Sequence, residues 1–332
     1  MAGILARALW YDAPGSVALR TEDLPDPEPG EARIRMLASG ISRGTERLIL
    51  QGRVPPAEYQ RMRAPMQAGD FPHPVKYGYC AVGLVEAGPA DLVGERVFCL
   101  HPHQDVFNAP LAMLIQVPDD VPSARAVLAA NMETALNALW DSGAAPADRI
   151  GVVGGGVTGL LVGFLAAQLP GARVILADPE PSRTTLAAAF GMDFAAPADL
   201  AARLEANADI VFHTSANPAG LVTALDCAGM EGTIIEMSWY GAREATIPLG
   251  GAFHSRRLKL ISSQVGQVSP GHRPRWGYAR RLAAALGLLR DARLDALVAE
   301  SIDFADTPRL LPGLLTGPAL GLAPVIRYPL AD

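Results

Sequence analysis

The sequence predicts a mixed α/β protein with two domains, a β-rich barrel-like part and a doubly wound parallel sheet. Three observations support this fold class. The 332 residues exceed what a single hydrophobic core usually organises. Residues 1 to about 125 are rich in proline, glycine and short β-type runs, which is typical of a barrel. After residue 125, apolar strands alternate with helical segments, and this alternation indicates parallel strands in one sheet.

The β-type runs of the N-terminal part are short and well separated. They cover residues 32–37, 81–85 and 96–100. Turn signals lie between them, such as the segment Pro25-Asp26-Pro27-Glu28-Pro29-Gly30. Because proline and glycine interrupt helices and long strands, this part is expected to form several short strands joined by turns.

The alternating part begins with an alanine-rich helix that runs from Ser123 towards Trp140. Apolar runs then predict strands over residues 149–153, 173–178, 209–215, 232–239 and 258–263. Helices are predicted over residues 157–169, 183–190, about 200–205, 219–227 and 278–290, and a last strand over 323–328. We therefore predict that residues 126–265 form one domain, and that residues 1–125 and 266–332 form the other.

Composition excludes some classes of protein. The net charge of −6 argues against a nucleic-acid surface, which needs clustered lysine and arginine. The N-terminus has no basic start followed by a long apolar run, so no signal peptide is expected. The three cysteines, Cys80, Cys99 and Cys227, are too few and too scattered for a disulfide framework. These features predict a cytoplasmic protein with reduced thiols.

One segment allows a membrane interpretation. Residues 150–172 form a run of 23 residues without a charge, which is long enough to span a bilayer. Seven of these residues are glycine, and each glycine inside a helix costs about 1 kcal/mol relative to alanine. A buried strand, a glycine turn and a buried helix explain the run better, so no membrane association is expected.

The glycine turn in this run is the strongest functional signal. Gly154, Gly156 and Gly159 follow the Gly-x-Gly-x-x-Gly spacing between a predicted strand and a helix that starts at Val157. The first glycine permits the tight turn, the second lets the backbone approach a pyrophosphate, and the third lets the helix pack closely on the strand. The start of the helix then presents unpaired N–H groups to the phosphates.

Asp178 ends the next predicted strand, where a carboxylate accepts hydrogen bonds from the adenosine ribose. Since it would repel a 2′-phosphate, NAD is favoured over NADP as the cofactor. The alternative is a glycine-rich turn in an α/β sheet with Asp178 as a helix cap. Arg183 is placed either over the adenine or ribose, or on an exposed helix face.

Two later strands also end in polar residues. Ser215 follows His213 and Thr214 at the end of one strand, and Ser238 lies at the end of the next. Because the carboxyl ends of parallel strands face the ligand crevice, Ser215 and Ser238 are expected at the nicotinamide end of the cofactor. Trp239 and Tyr240 either line the same end or belong to the core.

The order of these parts, with the dinucleotide unit after a β-rich N-terminal part, resembles the medium-chain dehydrogenases and reductases over essentially the whole chain. This resemblance implies a GroES-like barrel domain, a Rossmann domain and a homodimer. In zinc-dependent members, a cysteine follows a Gly-Ile pair, a Gly-His-Glu sequence opens a later strand, and a third ligand precedes the first cofactor-domain helix. Here Ser42 and Tyr79 occupy the places of the first two, and residues 129–134 contain no cysteine.

Neutral hydroxyls are poor zinc donors compared with thiolate and imidazole, so neither a catalytic nor a structural zinc is expected. The resemblance also implies that Arg43 and Thr134 contact the cofactor, Arg43 at its pyrophosphate. The stretch over residues 40–47 is particularly similar to the bacteriochlorophyllide 3-hydroxyethyl dehydrogenases. The chain departs from them over residues 62–73 and 101–104, so we take the likeness to indicate a subfamily and not a shared substrate.

Without zinc, other groups must hold the substrate oxygen and move its proton. Tyr79 and Ser42 are candidates by position, because a phenol can donate a hydrogen bond to a developing alkoxide. The alternative is that Tyr79 packs in the domain wall. His101 and His103 are expected to line the substrate cleft or to support a loop. A metal site formed by these histidines with Cys99 stays open as an alternative, although Pro102 interrupts the strand.

These features predict an NAD(P)-dependent oxidoreductase that moves hydride between nicotinamide and an alcohol/ketone substrate without zinc. Reduction of an enone or a quinone is the alternative within enzymes. A dinucleotide-binding sensor without turnover is the alternative from another class. The sequence does not name the substrate.

Overall fold

The computed structural model describes residues 4–317 and 321–329. The chain divides into two compact units. The first unit contains the described residues up to Ala130 and those from Leu282 onwards, and the second unit spans Asn131–Arg281. Both boundaries lie further along the chain than the predicted residues 126 and 266. At the second boundary, the buried guanidinium of Arg281 hydrogen-bonds Glu133 within the second unit, which extends this unit past residue 266.

The first unit is rich in strands, as predicted, and the strands expected over residues 32–37, 81–85 and 96–100 are confirmed. Its first three strands are 9 or 10 residues long, however, and only the later ones are short. A helix that was not predicted, α1, follows the third strand. The elements are β1 (Ile4–Ala13), β2 (Ser16–Leu24), β3 (Glu31–Gly40), α1 (Arg43–Leu50), β4 (Ala68–Gly69), β5 (Val75–Lys76), β6 (Ala81–Ala87), β7 (Arg96–Cys99), β8 (Val106–Pro110), β9 (Ile115–Gln116) and α2 (Ser123–Ala126).

The second unit alternates strands and helices. Its elements are α3 (Ala129–Ser142), β10 (Arg149–Val153), α4 (Val157–Ala166), β11 (Arg173–Ala177), α5 (Arg183–Ala189), β12 (Asp193–Ala195), α6 (Leu200–Arg203), β13 (Ala208–His213), α7 (Pro218–Cys227), β14 (Ala228–Glu236), β15 (Lys259–Ser262) and α8 (Tyr278–Leu288). The five predicted strands of this part are confirmed. The helix predicted from Ser123 towards Trp140 is divided between α2 and α3, and the three-residue strand β12 is too short to show a periodic pattern.

The six strands of the second unit form one parallel sheet in the order β12-β11-β10-β13-β14-β15. The chain starts at the centre, moves outward to β12, and then returns to the other side of β10. The strand order therefore reverses between β10 and β13, and ligands of such sheets bind at this point, beyond the carboxyl ends of the strands. Apolar side chains on both sides of the central strands, including Ile150, Val152 and Val211, are buried.

The chain then returns to the first unit through β16 (Val298–Asp303), α9 (Thr307–Thr316) and β17 (Ala323–Arg327). The final strand is confirmed, whereas β16 and α9 were not predicted. Pro312 lies inside α9, and proline disfavours helix interiors, which explains why the sequence pattern did not indicate this helix.

Two sheets organise the first unit. One has the order β2-β1-β5-β4, and the other has the order β16-β17-β3-β6-β7-β9, with β8 also paired to β3. β17 joins β3 antiparallel, with Ile326 opposite Ser39. The C-terminal strand thereby completes a sheet that the N-terminal strands begin. None of the described helices is long and apolar enough to span a membrane.

Candidate functional site

The turn after β10 has the geometry that its glycines predict. Gly154 has φ +112°, in the region that favours glycine. A Cβ atom on it would lie 2.7 Å from Thr214 Oγ1 and 2.8 Å from the Ser215 nitrogen. The turn therefore passes directly against the end of β13, and only glycine fits there.

The other two glycines of the motif differ in their surroundings. A Cβ atom on Gly159 would lie 1.9 Å from the Gly154 carbonyl oxygen, so this glycine lets α4 pack against the turn. A Cβ atom on Gly156 would meet no atom within 4 Å. Gly156 is the N-cap residue of α4, which begins at Val157, and no side chain caps this end. Open space therefore adjoins the N–H groups that begin the helix, and the pyrophosphate of a dinucleotide needs such a position.

Asp178 lies beside this turn and has two backbone partners. Its Oδ2 accepts from the Gly155 N–H at 2.6 Å, and its Oδ1 accepts from the Glu180 N–H at 2.9 Å. Asp178 thus supports the turn, but it is not the helix cap that the alternative interpretation expected, because the N-cap residue of α5 is Ser182. Because each carboxylate oxygen has two acceptor sites, capacity for ribose hydroxyls remains. The aliphatic part of Arg183 covers the turn, with its Cγ 3.1 Å from the place of a Gly155 Cβ.

The ends of β13 and β14 carry a hydrogen-bonded set of side chains. The Ser215 hydroxyl lies 2.7 Å from His213 Nε2, and His213 Nδ1 lies 2.7 Å from Glu236 Oε2. His213 is fully buried, whereas Ser215 is exposed. The structure thus brings the predicted Ser215 together with His213 and with Glu236, which was not predicted as a site residue.

Ser238 and Tyr240 extend this set. The Ser238 Oγ accepts from the Ala216 N–H at 3.0 Å, and its own N–H donates to Glu236 at 2.8 Å. The Tyr240 hydroxyl donates to Glu236 Oε2 at 3.2 Å. Burial and then the nearby Glu236 carboxylate raise the pKa of Tyr240 well above its usual value, so this hydroxyl keeps its proton. Tyr240 and Trp239 are partly buried, and neither is a core aromatic.

In the first unit, Ser42 and Tyr79 lie close to the start of α1. Ser42 is the N-cap residue of this helix, and the Tyr79 hydroxyl donates to Thr45 Oγ1 at 3.3 Å. Burial raises the pKa of the Tyr79 phenol well above its usual value, whereas its hydrogen bonds with Ser42 and Thr45 lower it. The phenol is therefore protonated near neutral pH and is a hydrogen-bond donor. Tyr79 is partly exposed, as a residue that meets substrate requires.

Beneath α1 lies a buried network around Glu46. Its Oε1 accepts from the Ser42 N–H at 2.7 Å, and its Oε2 accepts from the Tyr11 hydroxyl at 2.7 Å. His103 joins Glu46 to Ser39, with His103 Nε2 at 3.2 Å from Glu46 Oε2 and Nδ1 at 2.7 Å from Ser39 Oγ. Glu46, His103 and Ser39 are all fully buried. His103 therefore holds buried parts of the first unit together through Glu46 and Ser39, which is consistent with the interpretation that it supports a loop.

His101 has different surroundings. Its ring stacks on Phe107, with ring centroids 3.7 Å apart, and its Nδ1 hydrogen-bonds the Pro102 carbonyl oxygen at 2.9 Å. Burial lowers the pKa of His101 to about 3, so the ring is neutral at physiological pH. Among the described residues, no three or more histidine, cysteine, aspartate or glutamate side chains group as metal ligands, and this covers Cys99, His101 and His103.

Two further predicted residues lie elsewhere. Arg43 donates from Nε to the Leu314 carbonyl oxygen and from a terminal nitrogen to the Gly317 carbonyl oxygen, both at 3.0 Å, and so holds the end of α9. Thr134 is partly buried in α3. Their contact with the cofactor stays a prediction.

Sequence reasoning missed two acidic residues, Glu46 and Glu236. Glu46 lies in the first turn of α1, ahead of the apolar residues Leu48, Ile49 and Leu50. An acidic residue on the apolar side of a short helix is a signal of a buried polar role, because an ionised side chain is seldom fully buried unless it has partners. Glu236 ends β14 beside His213, but the predicted strand ran on to residue 239, so the strand-end rule selected Ser238 and not Glu236.

Comparisons with known proteins relate the chain to dehydrogenases. Residues 158–284 match the family model described as zinc-binding dehydrogenase. The 2-desacetyl-2-hydroxyethyl bacteriochlorophyllide A dehydrogenase of Cereibacter sphaeroides is 35% identical over 97 residues. That alignment covers 27% of this chain and 26% of that protein.

Two solved structures share the fold over almost the whole length. The short chain alcohol dehydrogenase rspB of E. coli CFT073, complexed with NADH, has a TM-score of 0.78 at 16% identity and covers 98% of this chain and 100% of its own. A protein of Sinorhizobium meliloti 1021, described as a zinc-binding dehydrogenase and bound to NADP, has a TM-score of 0.77 at 17% identity, with 98% and 99% covered.

The chain has the fold of the alcohol dehydrogenase-like medium-chain dehydrogenases and reductases, and residues 158–284 also resemble them in sequence. The predicted resemblance is thereby confirmed. The fold class is confirmed as well, because the first unit corresponds to the GroES-like barrel of these proteins and the second to their Rossmann sheet. The family match lies within the second unit except for its last residues, which belong to α8.

Proposed function

We propose that this protein is an NAD(H)-dependent oxidoreductase that interconverts an alcohol and a ketone without a catalytic zinc. One observation carries the cofactor part. The Gly154 turn, the open space at Gly156 and the Asp178 carboxylate lie together at the point where the strand order of a parallel sheet reverses. This arrangement fits a dinucleotide, with the pyrophosphate at the start of α4 and the adenosine ribose at Asp178. When bound, the dinucleotide supplies or accepts the hydride.

The chemistry of the available donors supports zinc independence. The family places a thiolate and an imidazole where this chain has the hydroxyls of Ser42 and Tyr79. A phenol whose pKa is raised by burial is a poor zinc ligand, because it would have to release its proton to solvent in order to coordinate the metal. The described residues also offer no cluster of three ionisable ligands. These residues do not fit a family-type zinc site, so we derive no step through a metal.

Tyr79 is our candidate for the proton donor. When a carbonyl is reduced, negative charge develops on its oxygen, and a protonated phenol can stabilise that charge and supply the proton. Ser42 and Thr45 orient the Tyr79 hydroxyl. His101 suits this role less well, because it is buried, neutral and stacked on Phe107. His103 is committed to Glu46 and Ser39.

The name of the Cereibacter sphaeroides relative describes dehydrogenation of a hydroxyethyl group, which is conversion of a secondary alcohol to a ketone. This supports an alcohol/ketone pair as the substrate class for the present chain. We also propose that the protein works in a reducing cytoplasm, where its three free, buried cysteines remain thiols.

The decisive experiment combines a substrate panel with metal analysis. We expect the purified protein to oxidise NADH with secondary ketones, to contain no stoichiometric zinc and to keep its rate in a strong chelator. Tyr79→Phe removes only the hydroxyl, and turnover should fall by about 10²–10³ because one donor to the developing oxyanion is lost. NADH affinity should be unchanged. Tyr278→Phe, at an exposed tyrosine of α8, is the matched control.

Other results would redirect the proposal. One tightly held zinc per chain would end the metal-free mechanism. Turnover confined to enones or quinones would favour the reductase alternative. Bound NADH without turnover on any substrate would favour a sensor. Full activity of Tyr79→Phe would mean that the tyrosine only packs against its neighbours. Bound water would then be the next candidate for the proton donor.

We further propose that two chains associate through β15. This strand lies at the edge of the parallel sheet, and all four of its residues are exposed, including Leu260 and Ile261. Within the described part of the chain no strand covers its outer edge. Exposed apolar residues on an unpaired edge favour pairing with a second copy, which gives a two-fold dimer.

A further inference from the structure

The link from Ser215 through His213 to Glu236 has a defined direction. Glu236 accepts hydrogen bonds from His213 Nδ1, the Tyr240 hydroxyl and the Ser238 N–H. A carboxylate only accepts, so the neutral imidazole of His213 carries its proton on Nδ1 and leaves Nε2 as an acceptor. The Ser215 hydroxyl, 2.7 Å from Nε2, therefore donates its proton to His213.

This direction decides what Ser215 can recognise. Its only proton points inward to His213, and one of its lone pairs accepts from the Asn217 N–H at 3.2 Å. The remaining acceptor site belongs to an exposed side chain. Ser215 therefore presents an acceptor to a ligand, and it suits a hydroxyl or an amide N–H but not a phosphate or carboxylate oxygen.

The surrounding loop is held in place. Ala216 adopts φ +51°, which is uncommon for alanine, and the Ser238 hydroxyl accepts from its N–H at 3.0 Å. The Thr214 hydroxyl donates to the Gly154 carbonyl oxygen at 2.9 Å, so the same loop is fixed to the glycine turn. The acceptor is thus positioned relative to the dinucleotide turn of its own unit.

We infer that Ser215 is a specificity-determining acceptor for a hydrogen-bond donor on the nicotinamide riboside half of the cofactor, and that His213 and Glu236 are its positioning residues. The donor is a hydroxyl of the second ribose or the carboxamide N–H. This inference rests on the proposed cofactor. It adds that Ser215 binds the nicotinamide riboside half of that cofactor and that it does so as a hydrogen-bond acceptor.

Three ligands of increasing length separate these possibilities. ADP contains only the adenosine diphosphate half, ADP-ribose adds the second ribose, and NADH adds the nicotinamide with its carboxamide. Their dissociation constants are measured by calorimetry for the full chain and for Ser215→Ala, Glu236→Gln and the control Thr223→Ala. Thr223 is a partly buried residue of α7 whose hydroxyl bonds only its own helix among the described contacts, so its loss matches the change in chemistry.

We expect Ser215→Ala to bind ADP as the parent does and to lose about 3- to 10-fold in affinity for a longer ligand, the usual effect of one neutral hydrogen bond. A loss that first appears with ADP-ribose assigns the ribose hydroxyl as the donor. A loss that first appears with NADH assigns the carboxamide, and an analogue with acetyl in place of the carboxamide should then bind parent and variant alike. Glu236→Gln should lose affinity first for the same ligand as Ser215→Ala. The glutamine amide can donate a hydrogen bond to His213 Nδ1, and the hydrogen bond between His213 and Ser215 would then reverse its direction.

Two results would overturn the inference while the proposed cofactor survives. One is a Ser215→Ala protein that binds all three ligands as tightly as the parent. The other is a loss that is already complete with ADP, since this would indicate a general effect on the fold. If the parent chain binds none of the three ligands, the proposed cofactor itself is wrong, and the inference ends with it.

Discussion

At the scale of single residues, Asp178 combines a structural and a proposed binding role. It accepts from the Gly155 N–H at 2.6 Å, and in the proposed cofactor complex its carboxylate is the group that a 2′-phosphate would approach. We expect NADH to bind more tightly than NADPH by about tenfold or more, since about 1.4 kcal/mol of repulsion suffices for that ratio. Asp178→Asn keeps an oxygen that can accept from the Gly155 N–H and removes the negative charge. The difference between the NADH and NADPH affinities should therefore become smaller while the turn stays folded.

Fluorescence titration of both cofactors measures this ratio. Asp178→Ala is the comparison, because it also removes the acceptor for Gly155 and should weaken both cofactors. Equal affinities of the parent protein for NADH and NADPH would remove Asp178 from the role of discriminator.

A second single-residue effect concerns pH. The pKa of His101 is about 3 in the folded protein and 6.5 in its ordinary state. Between these values the unfolded chain binds the additional proton, so the free energy of unfolding should fall as pH decreases through this window. The slope for this one group approaches about 1.4 kcal/mol per pH unit and disappears above the unfolded pKa.

His101→Asn tests this effect, because asparagine can still donate to the Pro102 carbonyl oxygen but does not titrate. Chemical denaturation between about pH 4 and pH 6 should show a shallower decline for the variant than for the parent. Parallel declines would mean that His101 is not the group responsible.

At the scale of elements, the glycine turn and α4 offer a matched pair of substitutions. Gly159→Ala places a methyl group 1.9 Å from the Gly154 carbonyl oxygen, so it should reduce the free energy of unfolding by about 1–3 kcal/mol or more. The methyl group of Gly156→Ala meets no atom within 4 Å, so this substitution should reduce the free energy of unfolding by less than about 1 kcal/mol.

If the pyrophosphate lies at the N-terminus of α4, Gly156→Ala should nevertheless weaken NADH binding. Denaturation and NADH titration of both variants give the two readouts, and a Gly159→Ala protein as stable as the parent would contradict the close packing.

Elements also show how far sequence reasoning reaches. The Rossmann strands were predicted to within about four residues at each end because each is an apolar run bounded by turn residues. Ser215, expected as the last residue of its strand, lies just beyond the carboxyl end of β13. The link from Ser215 to Glu236 and the network of Glu46 with His103 and Ser39 depend on residues brought together from separate strands. No periodic pattern encodes such partners, because packing decides them. Helix α9 escaped prediction for a local reason, its internal proline.

At the scale of the whole molecule, the proposed dimer through β15 can be tested by weakening its apolar edge. Leu260 and Ile261 are 37% and 38% exposed. Replacing both by glutamate sets like charges against each other across a two-fold interface, so light scattering after size-exclusion chromatography should show a monomer. Met230→Glu, at a residue that is 68% exposed in the same unit, is the control and should leave the mass unchanged. A parent protein that is already monomeric would end the proposal.

The pairing of β17 with β3 has a consequence for how the chain is made. β3 leaves the ribosome early, whereas its neighbour β17 is synthesised after the entire second unit. Until then, the N–H and C=O groups along that part of the β3 edge have no strand to bond. The second unit is continuous in sequence and can be complete while the barrel still waits for its last strand. A message truncated shortly before residue 323 would therefore yield a chain with a finished parallel sheet and an open barrel, a species suited to chaperone capture and prone to aggregation.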